Sequence, residues 1–291
     1  MKTLLRQDIP EDFVYYRTGS EVFYRYSWEF YWWDIVDVPG VAHQFMRVER
    51  WLWGIWNTID AEKIDTEPEI SLLKKSGYKH GIVFWSPLRR ENKPKWWIRL
   101  PAYFARKWLH ASRSAFSILD TPKYWTKWSS EARNHRKKVL QNISAGTIRI
   151  EESESLEVFY EAYKNSKIHD PNKRIHMQWC QRILETQWML NKRIYLGYVG
   201  DLLVAGAIFI DEDVTSEYYM SFYNPESRPY QFGIAMMDRW YSDSLKLGMK
   251  YCDVDHMWER GYPSSQKWYT EFKSGIADYD VYFHDMWVKV F

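Results

Sequence analysis

The chain has 291 residues, 46% hydrophobic and 27% charged, which excludes disordered, collagenous and coiled-coil classes and leaves one or two globular domains. Eighteen Trp, 22 Tyr and 14 Phe make it 19% aromatic, enough to fill a core and to offer flat apolar surfaces to sugars, bases or a membrane interface. The net charge is only +2, yet 14 Lys and Arg stand against three acids between residues 86 and 140, a basic belt that implies an anionic partner: phosphates, nucleic acid or an anionic membrane face.

At the N-terminus Leu4 and Leu5 are the only apolar patch before charges resume, so no signal peptide is expected. No run of about 18 apolar residues exists to span a membrane. Cys180 and Cys252 lie far apart and form no metal-binding spacing. These features together predict a cytoplasmic protein with reduced thiols.

Residues 1–115 are aromatic and show no clear period. Within them, residues 95–110 (KWWIRLPAYFARKWLH) interleave Trp with Arg and Lys in a way suited to a lipid–water interface. Pro101 interrupts any single helix there and favours core packing. Near Asp120 the elements become regular, which puts the expected domain division at 1–120 and 121–291. Residues 126–142 (TKWSSEARNHRKKVLQN) predict a basic helix capped by Ser129 or Ser130 and stopped before Gly146. A short strand (TIRIEE) follows, then helices over about 153–166 and 177–190 from the spacing of their apolar residues.

RIYLGYV and LLVAGAIFI, separated by Gly200-Asp201, predict a hairpin, and SEYYMSFY (216–223) a third strand. The loop NPESRPYQF leads to a long helix over 233–247. KYCDVDH reads as a strand, SQKWYTEF as a short helix and DYDVYFHDMWVKVF as a final strand pair. This α+β order, with a three-strand meander feeding a helix and then a strand, is similar to that of GNAT-type acyltransferases.

Particular segments carry a closer resemblance. WSSEARNHRKKVLQNISAGTIRIEESESLEVFYEAYKNS resembles the Ser-x-x-x-Arg-x-x-x-(Arg/Lys)-Lys helix, strand and Tyr-rich helix of the Fem-type (FemABX) aminoacyl transferases. YLGYVGDLLVAGAIFI and SFYNPESRPYQFGIAMMDRWYSDSLKLGMKYCDVD resemble the strand pair, loop, long helix and strand that follow in that family. EFKSGIADYDVYFHDMWVKVF resembles its closing Phe-Lys-x-Gly-Phe-Gly segment, with Ile276-Ala277 in place of the last Phe-Gly. The match runs from about residue 117 to 291. It implies a GNAT-like fold, a mixed central sheet flanked by helices, with a reduced or divergent second GNAT-like half over 1–120.

The resemblance also implies a function: transfer of an amino acid from aminoacyl-tRNA to an amine of a UDP- or lipid-linked peptidoglycan precursor, building a cross-bridge. No cofactor is expected beyond the donor itself. A lipid-linked acceptor would add peripheral contact with the inner membrane face. Two alternatives stay open. One is N-acyl transfer from acyl-CoA to an amino sugar or peptide. The other is a catalytically inactive binding module for tRNA or a wall precursor.

Amide formation from an ester needs positioning and donors aimed at the oxyanion more than covalent help. By its place in the family-like motif, Lys273 in Phe272-Lys273-Ser274-Gly275 is the first candidate, an ammonium for a phosphate or the oxyanion. Arg133, Arg136 and Lys137 share one helix face suited to a polyphosphate or RNA backbone. Arg228, Gln231 and Gly233 precede or open the long helix, whose free N–H groups favour anions. GNAT proteins that use acyl-CoA carry (Gln/Arg)-x-x-Gly-x-(Gly/Ala) there; this chain has Tyr230 in the first place and Gln231 one residue late.

Asp253-Val-Asp255 admits two readings, a metal-holding DxD or a strand carboxylate that caps the next turn, and Asp255 could also accept a proton from the attacking amine. Tyr219 and Tyr223 either pack the core or line the substrate groove. The eight His form no HExxH or HxxxH pair, so no metal is expected.

Overall fold

The computed structural model describes residues 1–4, 10, 34–37, 45–51, 56–62, 67, 69–75, 77–86, 96–100, 113–167, 173–174, 177–178, 181, 191–258, 267–282 and 286–291. Most of the helix expected over 177–190 and most of the aromatic-basic segment 95–110 lie outside these residues. The chain forms two compact units, one of Met1, Ala115–Asp255 and Glu271–Tyr279, the other of Lys2–Ser114, His256–Thr270 and Asp280–Phe291. The units are therefore not the contiguous stretches 1–120 and 121–291, because 256–270 and 280–291 group with the N-terminal residues.

The N-terminal unit holds β1 (Lys2–Leu4) and an antiparallel meander of β2 (Asp34–Asp37), β3 (Phe45–Trp51) and β4 (Trp56–Glu62). A short helix α1 (Ile70–Lys75) crosses to β5 (Gly81–Ser86), which runs parallel to β4 and pairs along its whole length, Asn57↔Gly81 to Glu62↔Ser86. β6 (Ile98–Leu100) follows. Leu73, Tyr78, Val83, Trp85, Trp97 and Trp287 make the core of this unit. The Trp97 indole N–H donates to Glu67 Oε1 at 2.7 Å, so a large ring is buried without leaving its one polar atom unpaired.

The second unit begins with β7 (Arg113–Ile118), a 3-10 turn (Tyr124–Lys127) and helix α2 (Ser130–Ser144). Ser129 caps α2 by accepting from the Ala132 N–H at 3.1 Å, and Gly146, at φ +70°, takes the chain out of it. β8 (Ile148–Ser153) and α3 (Leu156–Asn165) precede a long meander of β9 (Asn191–Val199), β10 (Leu202–Glu212) and β11 (Thr215–Tyr223). The expected two-residue turn is present, with Gly200 at φ +56°. Helix α4 (Phe232–Lys246) then crosses to β12 (Tyr251–His256), parallel to β11, and α5 (Lys267–Ile276), β13 (Tyr279–Tyr282) and β14 (Met286–Val290) end the chain.

Two glycines in the meander are required by packing. A Cβ on Gly206 would meet the Phe222 ring at 2.5 Å, and one on Gly197 would meet the Phe232 ring at 2.5 Å. The first lets Phe222 lie across β10 toward Phe159 and Tyr163 of α3. The second seats the start of α4 on β9.

The strands predicted as a final pair do not pair with each other. The sheet of the second unit reads β13-β7-β12-β11-β10-β9-β8, whereas β14 lies between β5 and β6 in the sheet β2-β3-β4-β5-β14-β6. Trp287 of β14 is 2% exposed among Val83, Trp85 and Trp97, a core that its alternating pattern matches. Each sheet thus takes a strand from elsewhere in the chain beside the strand that completes its crossover: β14 beside β5, β7 beside β12. Among the described residues no helix is long and apolar enough to cross a membrane.

Candidate functional site

β11 and β12 pair over only three residues, Thr215↔Tyr251, Ser216↔Cys252 and Glu217↔Asp253. β11 then continues to Tyr223 and β12 to His256, so the two parallel strands part and leave a wedge between them. A bulge marks the same place. On the β10 side Phe209 opposes Tyr218 and Ile208 opposes Met220, which leaves Tyr219 unopposed. The extra residue switches the phase of β11. Tyr218 lies on the α4 face, 5.6 Å from Phe209 and 6.4 Å from Trp240, while Phe222 points to α3. Beyond Glu217 the two strands are no longer paired with each other, a geometry that can admit a carbonyl or an extended peptide between them.

Lys273 reaches this place from α5. It is 5% exposed, and its Nζ lies 5.9 Å from the centre of the Tyr218 ring, the first residue past the last strand pair. The rest of its motif makes contacts of its own. The Phe272 ring packs on Gly233, where a Cβ would come within 3.2 Å of it. The Gly275 carbonyl accepts from the Ser129 N–H at 2.8 Å, at the cap of α2. Segments that look unrelated along the chain, the Phe272–Gly275 motif, the start of α4, the bulged strand and the start of α2, meet here.

Gln231, at φ +57°, turns the chain into α4, and its side chain donates to the Arg228 carbonyl at 3.3 Å. Arg228 is exposed in the 3-10 turn Pro225–Tyr230 just before it. The space beside Gly233 at the start of α4 is occupied by the Phe272 ring. Tyr219 is buried at the bulge and Tyr223 half-buried further along β11, both on the strand that borders the wedge.

Asp255 sits on β12 beyond the last pair, in a left-handed conformation with φ +67°. Its N–H donates to Asp253 Oδ1 at 2.9 Å. Asp253 therefore caps the turn made by Asp255, and among the described residues no group of three or more His, Cys, Asp or Glu is placed to hold a metal. Left-handed backbone at a non-glycine residue is strained and concentrates at functional positions.

Arg133, Arg136 and Lys137 do share a face. With Trp125, Ser130 and Asn134 they line a cleft of about 440 Å³ between α2 and the 3-10 turn before it. Their states differ. Arg133 donates to the Trp128 and Thr126 carbonyls at 2.6 and 3.2 Å. The Arg136 guanidinium lies 4.0 Å from the centre of the Trp125 ring and bonds Asp238 Oδ1 at 2.5 Å. Tyr124 donates to the same carboxylate at 2.8 Å, and its pKa is raised by burial and then by that charge. Lys137 is exposed.

Sequence reasoning missed the Asp238 anchor, which stands 102 residues from Arg136. It also missed a buried network at the closed end of the strand pair. Arg193 grips Asp211 with two bonds of 2.8 and 2.7 Å and reaches Ser216 and Ser244 at 2.9 and 2.7 Å. Trp240 donates to Ser216 at 2.6 Å. The apolar runs of β9 and β10 contained no hint that a charge would be buried there.

A solved structure of FemX superposes on this architecture with a TM-score of 0.60 at 10% identity, over 89% of this chain and 88% of that one. The chain has a Fem-type, GNAT-like fold. A conserved protein of unknown function from Bacteroides thetaiotaomicron also shares it, with a TM-score of 0.57 at 9% identity and 94% of each chain covered. No family model matches the chain, and no curated protein matches it in sequence. At such identities the likeness is one of fold alone.

Proposed function

We propose that the chain is an aminoacyltransferase that moves an amino acid from aminoacyl-tRNA to an amine of a UDP- or lipid-linked peptidoglycan precursor. The observation that carries this reading is the placement of Lys273, in a family-like Phe-Lys-x-Gly motif, beside the point where β11 leaves β12. The acceptor amine attacks the ester carbonyl of the donor, and the carbonyl oxygen becomes an oxyanion. The Lys273 ammonium and N–H groups of the bulged strand stabilise that charge in a largely dry setting. The C–O bond to the ribose then breaks, the ribose oxygen leaves with a proton, and the amide remains. Asp255, on the facing strand, accepts the proton the amine loses.

Acyl-CoA as donor is the second reading. It is supported by the first-turn N–H groups of α4, to which Gln231 contributes no side-chain cap. The Phe272 ring packed on Gly233 weighs against a phosphate lying close to that helix start. A binding module without turnover would keep the basic cleft and lack transfer.

The test is transfer from a radiolabelled aminoacyl-tRNA pool to a UDP-linked muramyl pentapeptide, repeated with a lipid-linked acceptor and with Lys273→Ala. Label in the peptide that the variant loses by about 100-fold or more supports the reading and the role of Lys273. No label with either acceptor overturns it. Acyl-CoA turnover in the same preparation would then establish the second reading.

A further inference from the structure

The cleft beside α2 is built unlike a solvated basic face. Two of its three cations are held in fixed positions before any ligand arrives. Arg133 is anchored on two carbonyl oxygens, and Arg136 is clamped between Asp238 and the Trp125 ring. Lys137 is exposed, and among the described residues it has no ion-pair partner. The lining contains no acid; Ser130 and Asn134 add neutral polar groups that can hydrogen-bond to an oxyanion. The Trp125 side chain adds an apolar wall.

The cleft also has a defined relation to the transfer motif. Helix α2 starts at Ser129, which is bonded to Gly275 two residues after Lys273. At 1.5 Å per residue, Lys137 lies roughly 12 Å along the helix from that cap. A ligand held at Lys273 and extending along α2 therefore meets a second cationic station within the span of a few phosphate-bearing units.

The geometry points to a phosphate-ester subsite in this cleft, in which Lys137 and the outward N–H groups of Arg133 bind the phosphates of a nucleotide donor. Asp238 holds Arg136 as a fixed wall and does not leave it free as a ligand. The inference rests on the proposed donor for its favoured source, the 3′ end of an RNA, since a strand offers several phosphates in a row. CoA and a UDP-linked molecule carry the same chemistry and are separate arms of the test.

The experiment measures binding of the full chain to a labelled RNA minihelix with a single-stranded 3′ end, to CoA and to UDP, over a range of salt. Lys137→Glu is compared with Lys138→Glu, an exposed neighbour with the same charge change that does not line the cleft. The expected result is about tenfold weaker RNA binding in Lys137→Glu, with the slope of log K against log salt smaller by about 0.7, and a much smaller change in Lys138→Glu. If both variants bind RNA equally, the subsite is overturned while an RNA donor stands. RNA that does not bind, with CoA or UDP binding lost only in Lys137→Glu, keeps the subsite and removes the RNA donor. No Lys137-dependent binding of any of the three overturns the subsite.

Discussion

The two units carry the same crossover in two states. In the N-terminal unit β4 passes through a six-residue helix to β5, and the strands pair along all of β5. In the second unit β11 passes through the 15-residue helix α4 to β12, and pairing stops after three residues. The closed crossover satisfies the facing backbone groups of β4 and β5 within the sheet. In the open one the β11–β12 pairing covers only Thr215 to Glu217, and a bulge, a left-handed Asp255 and a buried Lys273 lie near its end. A shared topology can thus serve as framework in one unit and as a candidate site in the other, depending on where two parallel strands part.

The largest effect should separate the crossovers by turnover. Lys273→Ala at the open crossover should lower transfer by about 100-fold or more, whereas Lys74→Ala on exposed α1 should leave it unchanged. Equal losses would end the distinction. Next comes the anchor of the three pairs that remain. Arg193→Ala leaves Asp211 buried without its partner, so urea denaturation should show a loss of about 3–5 kcal/mol, with faster amide exchange at Ser216 and Cys252. A loss below about 1 kcal/mol would mean that the network does not hold the closed end.

Gly197→Ala forces a methyl into the Phe232 ring at the start of α4 and should cost about 1–3 kcal/mol, read as a lowered Tm. Asp243, at the far end of α4, adds a pH dependence. Burial pushes its carboxyl up, but bonds from Lys246 and Arg239 outweigh burial and hold it below the ordinary aspartate value. Stabilisation from a lowered folded pKa is complete above the unfolded value and is lost as pH falls through the folded one. Asp243→Asn should therefore be less stable than the parent at pH 7, and the gap should close under acid; a gap independent of pH would point to lost hydrogen bonds alone. The smallest effect is expected for Gly233→Ala, where the Phe272 ring needs to give by only a few tenths of an ångström. Stability should change by less than about 1 kcal/mol, and transfer by a few-fold through the position of Lys273.

Local features of this fold were legible in the sequence. Apolar runs and the Gly200 turn defined β9 to β11, and Ser129 and Gly146 marked the ends of α2, because caps and turns depend on a few adjacent residues. The Phe272–Gly275 motif pointed to Lys273 through resemblance. The wedge was not legible, since alternation tells that 215–223 is a strand and not how many of its residues find a partner. The bulge at Tyr219 shifts the register by one residue inside the stretch Tyr218-Tyr219-Met220-Ser221-Phe222-Tyr223, whose composition does not mark it. The Asp238 clamp on Arg136 joins helices far apart in the chain, and a helical wheel of α2 alone makes that arginine look free. The destination of β14 was equally hidden, because an alternating pattern suits either sheet.

That destination bears on the order in which the protein can be made. The sheet of β2 to β6 cannot be completed when residues 34–100 have left the ribosome, because the strand between β5 and β6 is residues 286–290, almost 200 residues further along the chain. The second unit has all of β7 to β12 in hand long before that. Completion therefore runs against the direction of synthesis, and during translation the edges of β5 and β6 that face β14 wait until residues 286–290 emerge.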